Sequence, residues 1–140
     1  MWLFYAFGSA ICAALVAIFG KLGLKSIDST LATTIRGIIM ASFLLLVSIT
    51  LKKFDGFHFN NLSNKDWILI TLSGVAGALS WLFYFFALKY GDASKVVAID
   101  RLSIVLVVIL AAIFLAEGFT WKSITGAILM AGGAILISLK

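Results

Sequence analysis

The chain has 140 residues, room for about one domain. It is 63% hydrophobic and 12% charged, carries a net charge of +5, contains no proline and has a mean hydropathy of +1.16. A soluble domain is about half apolar and a quarter charged, and a disordered chain has low hydrophobicity and high charge. Both classes are excluded, which leaves a small, helix-dense integral membrane protein.

The eleven Lys and Arg residues are scattered, with no run beyond Lys52-Lys53. That placement suits residues flanking membrane spans and gives no nucleic-acid patch. The single cysteine, Cys12, lies in an apolar run without a disulfide partner or the neighbours a metal site needs.

A spanning helix takes about 20 mostly apolar residues. In chain order such stretches cover 2–20, 30–51, 67–88, 96–116 and 122–139. Arg36 interrupts the second, and Asp100 and Arg101 interrupt the fourth. The first has no basic n-region and too long an apolar stretch for a signal peptide, so it reads as a span. The run 104–115 is apolar throughout, without the period-two alternation of a barrel strand. The longest connector, 52–66, holds Phe54, Phe57, His58 and Phe59 and is expected along the interface. The expected fold is an all-α integral membrane bundle of five transmembrane helices, with the lipid bilayer as its surroundings.

Five spans put the termini on opposite faces. The N-terminal face receives Lys52, Lys53, Lys65 and Lys122; the other receives Lys21, Lys25, Lys89, Lys95, Lys140, Arg36 and Arg101, four against seven. The positive-inside rule then places the N-terminus outside and the C-terminus in the cytoplasm, by a margin narrow enough to allow both orientations. Trp2, Trp67 and Trp121 stand at the N-terminal-face starts of spans, as an interfacial belt does. Trp81 lies deeper, beside Phe83, Tyr84, Phe85 and Phe86. Trp81 and Tyr84 are candidates for lining a substrate path, with packing against lipid or neighbours as the alternative.

Helices in lipid meet through small residues. Gly74 with Ala78, and Ala127 with Ala131, form small-xxx-small steps and are the expected helix-packing positions. Without proline, the usual source of kinks is missing, so a broken-helix transport site is not signalled.

A charge at mid-membrane costs about 2.5–3.5 kcal/mol on insertion scales, which singles out Arg36, Asp100 and Arg101. Arg36 lies roughly 9–10 Å into its span at 1.5 Å per residue, within reach of the interface by snorkelling. Asp100 shares a face with Ser103 and is placed to meet Arg36 or Lys21. Two readings stand side by side: an interhelical ion pair, and a substrate or proton site drawing on Arg36, Asp100, Arg101, Ser103, Lys21, Trp81 and Tyr84. Asp100 is the only acid inside a span and Glu117 ends the fourth, so these are the first and second candidates for proton coupling. Catalytic triads, paired acids and metal-ligand spacings are missing from the spans, so no enzyme activity, metal or cofactor is expected.

The second half reads Ala87-Leu88-Lys89-Tyr90-Gly91-Asp92-Ala93-Ser94, an apolar span, Phe114-Leu115-Ala116-Glu117, and then Gly126-Ala127-Ile128-Leu129-Met130-Ala131-Gly132-Gly133. This order resembles the EamA-like domain of the drug/metabolite transporter superfamily. Phe19-Gly20-Lys21 resembles its first-span ending and Arg36 its second-span arginine, so the resemblance covers 1–140 as a single EamA-like domain. Two positions depart from the pattern: the fourth span lacks an early proline near Ala98, and Ala116 stands where glycine is usual. Ile99-Asp100-Arg101-Leu102-Ser103 resembles a short, single-domain bacterial and archaeal subgroup.

The resemblance implies one half of a ten-helix inverted-repeat transporter. It further implies export or exchange of small metabolites or drugs by alternating access in the cytoplasmic membrane. A half with an odd number of spans lacks its inverted partner, so an antiparallel homodimer is expected. The alternatives are an accessory or assembly subunit and a proton antiporter like the small multidrug resistance proteins. Those have four spans and a first-span glutamate, and here that span holds no acid.

Overall fold

The computed structural model describes residues 1–56, 62–116, 118 and 120–139. The described secondary structure is entirely helical: α1 (Trp2–Gly23), α2 (Ser29–Thr50), α3 (Asn64–Tyr90), α4 (Ala93–Asp100), α5 (Ser103–Phe114) and α6 (Trp121–Ser138). α4 and α5 together make the stretch Ala93–Phe114, so five helices are long and apolar enough to cross a membrane. Phe57, His58, Phe59, Glu117 and Lys140 lie outside the described residues.

Local chemistry sets the helix ends. Asp28 caps α2, its carboxylate accepting from the amides of Thr30 at 2.9 Å and Leu31 at 3.2 Å. At α3 the Ser63 hydroxyl accepts from the Asp66 amide, and the Asp66 carboxylate accepts from the Ser63 amide at 3.0 Å. Two amides are thereby satisfied reciprocally, as in a capping box. Thr120 caps α6 through the Ser123 amide at 3.2 Å.

Two helices end on left-handed residues. Lys52 follows α2 with φ 51°, and the amides of Lys52 and Lys53 donate to Ile49 and Ser48. That pairing is a Schellman motif, and it satisfies carbonyls that would otherwise end unbonded. Ala116 follows α5 with φ 54°. This is the position where the sequence pattern calls for glycine, and the backbone gives the reason: a Cβ is strained in that region.

The fourth span is interrupted, although without proline the sequence does not signal a break. Arg101 (φ −67°, ψ −11°) and Leu102 (φ −61°, ψ −19°) separate α4 from α5. Across the break Leu102 donates to Ile99, Ile104 to Arg101 and Val105 to Leu102, at 2.9–3.1 Å. These three-residue spacings are those of a 3₁₀ turn, so the backbone stays bonded while the α ladder is broken. Proline is one cause of a break and not a requirement.

The chain divides into two compact units, one of 1–21 with 90–140 and one of 22–89. In the first, α6 packs along both α4 and α5. Its buried residues are Ala17, Ala98, Ala127 and Ala134, the small side chains that let helix backbones approach in lipid. Of the expected packing pair, Ala127 is buried and Ala131 is half-buried. In the second unit Leu24, Ser29, Phe85 and Leu88 are buried, and the Ser29 hydroxyl has no hydrogen-bond partner among the described residues. Gly74 and Ala78 seat no helix within this unit. Both are exposed, and nothing lies within 4 Å of where a Gly74 Cβ would stand.

Replacing Ala116 by Gly relieves the left-handed strain and is expected to stabilise the protein by about 1 kcal/mol. An unchanged or lower midpoint in detergent unfolding would contradict this. The Leu31 and Thr30 amides, with the positive charge of Lys89, hold the Asp28 carboxyl below its ordinary value of 3.8. Its stabilising effect is thus complete above the unfolded pKa and lost as pH falls through the lower folded value. The stability gap between wild type and Asp28→Ala should stay constant above about pH 5 and shrink below about pH 4.

Candidate functional site

Within the second unit, α2 and α3 wall an open cavity of about 730 Å³. Its polar lining includes Thr30, Thr33, Thr34 and Ser73; among the described residues Arg36 is its only charged member, and Gly74, Ala78 and Trp81 form part of the opposite wall. Within this unit the two small residues make room for the cavity. Thr33 and Thr34 return their hydroxyl protons to the carbonyls of Ser29 and Thr30, at 2.7 and 2.9 Å. Their donors are spent inside α2, which is how a hydroxyl rests in an apolar wall at little cost.

Arg36 is half-buried against the rings of α3. Its Cζ lies 3.6 Å from the centroid of the Trp81 ring and 5.1 Å from that of Phe85. Trp81 is held by Tyr84, edge-on at 5.6 Å, and by Phe85 at 6.0 Å. Trp81, Tyr84 and Phe85 fall three and four residues apart, so one face of α3 presents all three. The sequence pointed to Trp81 and Tyr84 for this region and passed over Phe85. The i, i+4 spacing from Trp81 was the available signal. A cation over an aromatic face gains up to about 2 kcal/mol when desolvated, against about 2.5–3.5 for inserting the charge at mid-membrane. The stack offsets much of that cost and leaves a cation still short of a counter-ion.

The other candidates fall elsewhere. Asp100 ends α4, Arg101 follows it and Ser103 opens α5, so the three gather at the 3₁₀ break, and all three are exposed on the single chain. Asp100 makes no ion pair among the described residues; the ion pair found there joins Lys95 to Asp92, at 3.9 Å. Within its own unit Asp100 is thus without a charged partner among the described residues. Lys21 donates to the Gly91 carbonyl at 2.7 Å, which ties the end of α1 to the start of the α4 segment. No cluster of metal-ligating side chains occurs among the described residues.

Residues 1–139 match the EamA-like transporter family. The chain belongs to that family. It is 36% identical over 137 residues to an "uncharacterized transporter in cobO 3'region" from Sinorhizobium sp, covering 98% of this chain and 96% of that protein. It is 28% identical over 141 residues to the "uncharacterized transporter YvbV" of Bacillus subtilis (strain 168), covering 96% of this chain but only 44% of that one. No solved structure matches. This EamA-like protein is thus a multi-pass membrane protein of a transporter family.

A double-mutant cycle on Arg36→Met and Trp81→Leu in detergent-driven unfolding should return a coupling of about 1–2 kcal/mol. Additive single effects would show that the stack contributes nothing.

Proposed function

We propose that this EamA-like protein is a carrier that exports or exchanges small metabolites or drugs by alternating access, acting as an antiparallel homodimer in the cytoplasmic membrane. The observation that carries this reading is the α2–α3 cavity with the Arg36–Trp81 stack in its wall. Its volume lies within the about 300–1,000 Å³ range of small-molecule sites, and its one charge is of the kind that marks pathways in transporters.

The dimer is supported by three further features. Asp100 and Arg101 are exposed on the single chain in the middle of an apolar stretch. Lipid is a costly neighbour for them, and a second copy or an aqueous path is not. The chain matches less than half of the YvbV transporter, and two fused five-span units would have opposite orientations, which is the plan of an inverted repeat. The near-even division of Lys and Arg across the membrane lets one sequence insert both ways. Weighted by that division, the N-terminus lies outside in the favoured orientation.

Counterflow in proteoliposomes with a panel of labelled metabolites tests the transport reading. Flux is expected with the wild type and lost in Arg36→Ala and Asp100→Asn, while both variants still insert and assemble. No flux of any panel member under any gradient would favour an accessory subunit instead. Orientation is tested with single cysteines at positions 60 and 140 in a Cys12→Ala background, since Cys12 is exposed. Each position should label from both sides of the membrane in whole cells. Labelling from one side only in every molecule would rule out dual insertion.

A further inference from the structure

We infer that the α2–α3 cavity recognises a small organic carboxylate with an apolar body, its carboxyl group paired with Arg36. This rests on the transport reading above and names the substrate class for the same site.

Arg36 stays charged at any accessible pH. Among the described residues of its own unit the guanidinium has neither a hydrogen-bond acceptor nor a carboxylate partner; around it are the Trp81 and Phe85 rings, with Tyr84 close enough to act on it electrostatically. The Trp81 and Phe85 contacts are to rings, which leaves the N–H edge of the guanidinium without a hydrogen-bond acceptor among the described residues of this unit. That edge carries the N–H fork that matches a carboxylate in two parallel hydrogen bonds. The cavity therefore holds a strong, oriented and unused anion donor fixed by its own wall.

The rest of the lining narrows the class. Among the described residues no Asp, Glu or Lys lines the cavity, so no carboxylate competes for Arg36 and none is there to pair with an ammonium group. With one cation in the wall, one anionic group is matched and a second would be buried unpaired. The threonine hydroxyls at 33 and 34 have already donated to their own helix and offer an anion no further proton. Apart from the Thr30 and Ser73 hydroxyls, the remaining wall, including Gly37, Leu44, Gly74, Ala78 and Leu79, is apolar and suits a hydrocarbon or aromatic body. A cationic drug meets a fixed positive charge here, and a neutral analogue leaves the guanidinium unpaired.

The test uses the full chain with Trp81 as the only tryptophan (Trp2, Trp67 and Trp121 changed to Phe), reconstituted in phosphatidylcholine vesicles. Phenylacetate, 3-methylbutanoate and 4-phenylbutanoate are titrated against their uncharged amides and against phenethylamine, and Trp81 emission is followed. At least one carboxylate should give a saturable change at least tenfold tighter than its amide, and phenethylamine should give none. Arg36→Gln should remove the preference of carboxylate over amide. Arg36→Lys, which keeps the charge and loses the fork, should weaken it several-fold, and serves if Arg36→Gln does not fold.

Any of four results would overturn the inference: no saturable response, equal affinity for acid and amide, tighter binding of the amine, or a preference untouched at Arg36. So would a phosphatidylglycerol response that saturates Trp81 and that the carboxylates cannot displace, since the occupant would then be a lipid headgroup. Counterflow separates this inference from the transport reading. Flux of neutral or cationic compounds without carboxylate binding sinks the inference and leaves the carrier. Carboxylate binding without any flux does the reverse.

Discussion

A bilayer core offers no water to a peptide group, so each backbone N–H and C=O inside it must be bonded within the chain. Most of this structure follows from that constraint. It is why the described backbone is helical and why the helix ends are capped by Asp28, by the Ser63–Asp66 box and by Thr120. It also explains the side chains that point back into their own helices. Thr33, Thr34, Thr125 and Ser138 each return a proton to a carbonyl three or four residues earlier. Where the fourth span departs from α geometry, it does so by exchanging four-residue hydrogen bonds for three-residue ones and not by leaving several groups bare.

The same solvent changes what counts as a core. Large apolar side chains gain nothing by leaving lipid, so in the first unit the buried positions fall to alanines, and only in the second are the larger Leu24, Phe85 and Leu88 buried. Where small residues face an open space, as at Gly74 and Ala78, they give volume instead of contact. Charge follows a different rule. Arg36 cannot leave the span in which the chain places it, and Trp81 and Phe85 supply the polarisable surface that makes this position tolerable. An arginine held by rings and not by a carboxylate keeps its hydrogen-bonding edge available, which a salt-bridged arginine would not.

Particular residues show how far reading the sequence could go. The importance of Arg36 and Trp81 was visible in each span separately, as a charge among apolar residues and as a tryptophan away from the interfacial belt. Their stacking was not, because it depends on how α2 and α3 align, and neither helix records the other's register. Gly74 and Ala78 carried a pattern that fits both packing and open space, and only the neighbouring helix's position distinguishes them. The break at Arg101-Leu102 escaped because no breaker residue announces it. The left-handed turn at Ala116 was legible only indirectly, as a departure from a pattern that has glycine there.

Composition, the lengths of the apolar runs and the order of soft motifs were enough to determine a five-span EamA-like membrane protein, because hydration and backbone hydrogen bonding in lipid act on each segment by itself. Which side chains share a cavity, which small residues pack, and whether the arginine is paired or stacked were decided only by the tertiary structure. Those outcomes depend on contacts a few ångströms long between helices far apart in sequence, and hydropathy, which acts on one segment at a time, carries no information about them.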